Sequence, residues 1–163
     1  MTIQSSRLTS KEWERTFIEQ NTLSFPWHAK VPQVVWRGGL TGDVDNYTSP
    51  RWRIGVLGAK ESRNNSSLLD MGITYIPEEQ NEQLSTARRA LLEPLVEPIF
   101  PMGDFQRYRA ILDIDGNSWS SRFGLLMCYN SVILKVEPKY VDYFFDTLQP
   151  GSTTYRCSTT CPI

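Results

Sequence analysis

The run Asp113-Ile114-Asp115-Gly116-Asn117-Ser118-Trp119-Ser120-Ser121-Arg122 holds the densest set of groups able to do chemistry in this chain. It leads from an apolar stretch through a glycine turn into a segment that reads as a helix start. A helix N-terminus carries unpaired N–H groups and partial positive charge. Ser118, Ser120 and Ser121 add hydroxyl donors, and Arg122 adds a planar fork that fits phosphate oxygens. Together these are the groups a diphosphate needs. The plainer reading is a capped helix with a surface arginine. Trp36-Arg37-Gly38-Gly39 is a second candidate, because two glycines after an arginine let backbone and guanidinium approach one anion. Its plainer reading is a strand-ending turn with a solvated arginine. If both segments line one cleft, Arg37 and Arg122 share the charge of one pyrophosphate.

Other residues weigh less. Asp113 and Asp115 form a D-x-D pair on one strand face, about 7 Å apart. Such a pair can hold Mg²⁺ or Mn²⁺ beside a nucleotide diphosphate. The serines and Arg122 already supply anion-binding groups, which favours a reading without metal. Asp113 then pairs with a neighbouring cation, and Asp115 caps the turn. Trp27, His28 and Lys30 can hold a ring, or form a packed anchor with Lys30 snorkelling to solvent. Tyr140, Tyr143, Phe144 and Phe145 read as core. With one histidine, a His-centred triad or multi-His metal site is not expected. Cys128 in FGLLMC reads as a buried thiol, and Cys157 and Cys161 make neither a zinc site nor a disulfide framework.

The chain has 163 residues, enough for one domain or one lobe. Apolar residues make up 40%, which argues for a packed core and against full-length disorder. Seventeen basic and 18 acidic residues leave a net charge of −1, so no nucleic-acid surface is expected. No apolar run reaches the roughly 20 residues of a membrane span. The opening MTIQSSRLTSKEW lacks the apolar stretch of a signal peptide.

Several elements must position these groups. Thr9-Ser10-Lys11-Glu12 has the form of a capping box for a helix over 10–20, with Trp13, Phe17 and Ile18 at helical spacing. Val34, Val35 and Trp36 predict a buried strand over 33–37, stopped by Gly38-Gly39. Ser49-Pro50 opens a helix with Trp52, Val56 and Ala59 on one face. A strand is expected around Thr74. A helix from Pro77-Glu78-Glu79 would carry Leu84, Ala87 and Leu91 inward. Pro94, Pro98 and Pro101 force an extended path. Residues 110–114 alternate as a strand, Ser120 or Ser121 caps a helix filled by Phe123, Leu126 and Met127, and 131–136 is a strand. Pro138-Lys139 starts a helix with Tyr140, Phe144 and Leu148 inward. Strand, helix, strand, helix in about 40 residues predicts an α/β fold with a Rossmann-like parallel sheet and flanking helices.

The segments PWHAKVPQVVWRGGLTG, SPRWRI, DMGITYI and FQRYRAILDIDGNSWSSRFGLLMCYNSVILKVEPKYVDYFFDTLQP resemble the capsule-associated, lipopolysaccharide-modifying-type glycosyltransferase domain. That domain is glycosyltransferase family 90, found in Rumi-type protein O-glucosyltransferases. The resemblance covers residues 26–150, a glycosyltransferase-like, donor-binding part. Residues 1–25 are an N-terminal helix and linker, and 151–163 a divergent tail. It implies part of a GT-B fold, with no required metal or cofactor. It also implies transfer of glucose or xylose from a UDP-sugar to a hydroxyl of a protein or glycan, with inversion. It carries donor binding onto Arg37, Gly38, Asn117, Ser118, Trp119, Ser120, Ser121 and Arg122. It implies the lumen of the endoplasmic reticulum or Golgi, although no retention signal ends the chain. The family's acid–base carboxylate lies well upstream of the Pro26-Trp27 segment, and Glu12, Glu14 and Glu19 do not match it. The family also continues past Leu148–Pro150, where this chain reads GSTTYRCSTTCPI and Tyr155 stands as the remnant of an aromatic run. The expectation is the donor-binding half of an enzyme, truncated at both ends. The alternative is an inactive nucleotide-sugar-binding fragment without a general base.

Overall fold

The computed structural model describes residues 24–42, 49–62, 68–78, 84–141, 143–149 and 154–157. The helix expected over 10–20 lies outside them. Five strands, β1 (Val31–Gly38), β2 (Leu69–Ile73), β3 (Tyr108–Asp113), β4 (Val132–Val136) and β5 (Thr154–Cys157), form one sheet in the order β2-β1-β3-β4-β5. Every pairing is parallel. The chain leaves β1 for β2 on one side and returns to β3 on the other. The C-terminal ends of β1 and β3 therefore form a topological switch point, where open α/β sheets hold ligands.

The strand residues are apolar on both faces because both faces are covered. One face carries Val35, Ile111 and Ile133, packed with Phe105, Phe123, Leu126, Tyr129 and Phe145. The other carries Trp36 and Leu112 under Trp52, Val56, Leu92 and Leu95. The alternation expected in 110–114 gives way to unbroken burial of Ile111, Leu112, Asp113 and Ile114, since β3 is central.

Ser49 caps α1 (Pro50–Arg53) as expected, its Oγ accepting from the Trp52 N–H at 3.3 Å. The chain continues as a π turn, Ile54–Gly58, and α2 (Ala59–Ser62). A Cβ on Gly58 would lie 2.6 Å from Met71 Cγ, so only glycine lets this segment sit so close to β2. Ser85 caps α3 (Thr86–Leu92). The residues following Pro77-Glu78 fall partly outside the described ones. Because α3 starts at Thr86, its buried residue is Leu92, while Ala87 and Leu91 are exposed, which corrects the expected Leu84-Ala87-Leu91 stripe; Leu84 is buried ahead of the helix.

Other expectations are corrected. Among the described residues of 138–149 there is a 3-10 turn, Phe145–Thr147, instead of a long helix. The adjacent Phe144 and Phe145 both contact the Phe123 ring, at 5.9 and 6.2 Å between centroids. An α-helix would turn neighbouring side chains about 100° apart. Tyr140 and Tyr143 are exposed and not core. The tail, rich in threonine, adds β5 to the edge of β4. Cys128 is half-buried instead of buried, its thiol donating to the Gly124 carbonyl at 3.6 Å.

Lys30 does not snorkel. It is 4% exposed, and its Nζ donates to the Gln106 carbonyl at 2.6 Å and Ser131 Oγ at 2.9 Å. Ser131 Oγ in turn donates to the Tyr108 carbonyl, so this ammonium ties the entry of β1 to the starts of β3 and β4. Trp27 and His28 stay exposed, with the Arg109 guanidinium 5.8 Å from the Trp27 ring. Burial lowers Lys30 from 10.5 to about 8. Between those values the unfolded chain binds the proton and the folded chain does not, so this group makes stability rise with pH. Urea titrations should show the wild type gaining stability relative to Lys30→Met between about pH 8 and 10. A constant difference across that range would refute the assignment.

Candidate functional site

A cleft of about 270 Å³ opens at the switch point, lined by Arg37, Gly38 and Gly39 at the end of β1 and by Gly116 to Arg122 after β3. Arg51, Tyr75 and Phe100 complete its walls. All eight residues to which the sequence assigned donor binding therefore border one space, although their roles differ.

Arg122 is one of its lining residues. Its Nη1 donates to the Arg37 carbonyl at 2.5 Å, and its Nε approaches Asp113 Oδ1 at 3.4 Å. Its guanidinium lies 5.2 Å from the Phe105 ring centroid. Nη2 is buried and has no hydrogen-bond partner. Burial pulls the Arg122 pKa down and the Asp113 charge pulls it back up, and a guanidinium stays charged at neutral pH in either case.

Arg37 is held differently. It is 8% exposed, not solvated, and its Nη2 meets Asp70 Oδ1 at 2.5 Å while its Nε meets Glu97 Oε2 at 3.0 Å. Its Nη1 donates to the Trp36 and Asp70 carbonyls. Tyr108 donates its hydroxyl to Asp70 Oδ2, and burial, together with that bond, raises the phenol to about 12. The structure brings the two arginines together through the Arg37 backbone, but two carboxylates already hold the Arg37 guanidinium.

The helix-start argument is corrected. The helix after the serines, α4 (Phe123–Leu126), is a single turn, and no side chain caps it. Neither Ser120 nor Ser121 is its cap; Ser120 donates its hydroxyl to Asp113 Oδ1 at 2.6 Å instead. A buried carboxylate outcompetes a helix end as a partner for that hydroxyl. So short a helix has little dipole to offer, and positive charge in the cleft comes from guanidinium groups. Ser118, Trp119 and Ser121 are exposed at the rim, and Asn117 Oδ1 accepts from the Gly42 N–H at 2.7 Å.

Asp113 is fully buried opposite Lys135 in the β3–β4 register. Lys135 Nζ reaches Asp113 Oδ2 at 2.8 Å and Asp115 Oδ1 at 2.6 Å. Asp113 thus pairs with cations, as expected. Asp115 uses its side chain on Lys135 and does not cap the turn, which closes through the Gly116 N–H donating to the Ser118 carbonyl. Among the described residues, no group of three or more His, Cys, Asp or Glu side chains could hold a metal ion.

Arg51 escaped the reading of the sequence. Its Nε, Nη1 and Nη2 donate to the carbonyls of Asp115, Gly39 and Ile114 at 2.7, 2.7 and 2.9 Å. One guanidinium thereby staples the exit of β1 to the exit of β3. Burial, helped by repulsion from Arg122, lowers it to about 10, so it remains charged at neutral pH. A signal was present: Ser49-Pro50 starts a helix, and a cation in its first turn opposes the helix dipole unless another partner holds it. Tyr75 lies over Gly39, where a Cβ would come within 2.3 Å of the ring.

Residues 2–157 match the family model described as glycosyl transferase family 90. Over 91 residues, 55% of this chain, it is 30% identical to protein O-glucosyltransferase 3 of Mus musculus and 29% identical to that of Homo sapiens. Over 124 residues, 76% of this chain, it is 26% identical to protein O-glucosyltransferase 2 of Danio rerio. These matches span 16% and 21% of the relatives' own lengths. Among the described residues no helix is long and apolar enough to cross a membrane.

Proposed function

This chain belongs to glycosyl transferase family 90, and from that premise we propose that its cleft holds the diphosphate of a UDP-sugar. The protein then transfers glucose or xylose to a hydroxyl of a protein or glycan, with inversion, as part of a GT-B arrangement. The observation that carries this reading is Arg122, a guanidinium lining the cleft whose buried Nη2 has no hydrogen-bond partner. Leaving such a donor unpaired costs about 1–3 kcal/mol, more for a charged group, and a phosphate oxygen removes that penalty. Arg51 stands beside it and adds charge without giving up its carbonyl partners.

In the reaction the acceptor oxygen bonds to the anomeric carbon as the bond from that carbon to the β-phosphate oxygen breaks. The bonding pair leaves with UDP, and the acceptor's proton passes to a base. Arg122 stabilises the charge growing on the departing diphosphate. A second reading, binding without turnover by this chain alone, is favoured by one fact. Among the described residues lining the cleft there is no carboxylate and no imidazole to take that proton.

Calorimetry with UDP tests the shared part, with a saturable heat expected. Absence of heat counts against any donor site. Release of UDP from UDP-glucose or UDP-xylose in the presence of a protein hydroxyl acceptor then separates turnover from binding.

A further inference from the structure

Lys135 does not line the cleft and is 3% exposed. Its Nζ sits beneath the cleft between two carboxylates, with the Phe123 ring 5.0 Å away. Asp113 divides its two oxygens: Oδ2 takes Lys135 at 2.8 Å, while Oδ1 takes Ser120 at 2.6 Å and Arg122 only loosely at 3.4 Å. Among the described side chains, the charged groups facing this cluster are Arg122, from the turn before α4, and Arg51, from α1; Arg156 stands opposite Lys135 in the β4–β5 register. Each Arg51 nitrogen already donates to a main-chain carbonyl, whereas Arg122, next to Asp113, has a nitrogen, Nη2, with no partner.

We infer that Lys135 is a positioning residue for the anion site: by serving as the counter-ion of Asp113 and Asp115, it keeps Arg122 available to a ligand. This rests on the reading of the cleft as a donor-diphosphate site. Without the ammonium, a fully buried carboxylate turns to the nearest remaining cation, because an unpaired buried charge is strongly unfavourable. Arg122 then closes onto Asp113, and Nη2 is lost to the cleft. Lys135 thus governs an affinity that it never contacts.

The test is UDP calorimetry on the wild type, Lys135→Met and the double variant Lys135→Met/Asp113→Asn, at pH 8. Lys135→Met should bind UDP at least about tenfold more weakly than the wild type at pH 8, the effect of one charge-assisted hydrogen bond. The double variant removes the carboxylate that captures Arg122, so its affinity should return to within about threefold of the wild type. A merely structural lysine would make the double variant no better than the single one. If Lys135→Met does not fold, the double variant carries the test, and its failure to fold or to bind UDP overturns the inference. Wild type that binds UDP alongside an unimpaired Lys135→Met overturns the role of Lys135 alone. Wild type that does not bind overturns the donor-site reading, and this inference with it.

Discussion

Arg122→Met should weaken UDP binding about ten- to a hundredfold, corresponding to about 1.4–2.7 kcal/mol for a charge-assisted hydrogen bond made in a desolvated place. The variant deletes Nη2, the cleft's unpaired cationic donor, and removes the charge beside Arg51. It also frees the Arg37 carbonyl, which Nη1 now occupies. Arg37→Met is the informative contrast. Its guanidinium already meets Asp70 and Glu97, so it has little to offer an anion, and its loss should register mainly as reduced stability. Calorimetry on both variants, with melting curves to confirm folding, decides the matter. Equal loss of affinity from the two would show that the carboxylates release Arg37 to the ligand. Unchanged affinity in Arg122→Met would remove the observation on which the donor site rests.

Asp113→Ala should reduce stability by about 3–5 kcal/mol, the range found when one member of a buried ion pair is deleted. Lys135 would share only Asp115, Ser120 would lose its acceptor, and Arg122 would lose its carboxylate. For a domain of this size each kcal/mol moves the melting temperature by about 2–4 °C, so a drop of about 6–20 °C is expected. Asp113→Asn should cost less, because the amide still accepts from Ser120. Differential scanning calorimetry on the two variants makes the comparison. A drop as small as that of a surface substitution, within about 0.5 kcal/mol, would mean that the cations find water or other partners once the carboxylate is gone.

Much of the scaffold was legible because its signals are local. Val34-Val35-Trp36 ended by glycine, Ser49-Pro50 before an apolar stripe, and SVILKV are each decided by neighbours in the chain, and each forms the element expected. The expected helix over 138–150 failed because Tyr140, Phe144 and Leu148 fit a helical spacing, but Phe123 draws both Phe144 and Phe145 to itself. Periodicity cannot see a ring that arrives from another element. The serines after Gly116 failed as caps for a similar reason, since Asp113 offers Ser120 a buried charge that a helix end cannot match.

The order of residue types by itself determined the α/β class and the parallel sheet and marked the two segments around Arg37 and Arg122, because hydrophobic periodicity and turn chemistry act over a few residues; that both segments line one cleft was decided by the tertiary structure. It could not rank the cations. Arg37, Arg51 and Arg122 are alike on paper, and their partners, Asp70 and Glu97, three main-chain carbonyls, and Asp113 with the Arg37 carbonyl, come from other parts of the chain. Which guanidinium keeps an unpaired N–H depends on desolvation and on the count of acceptors within reach. Both are set only when distant strands close on one another.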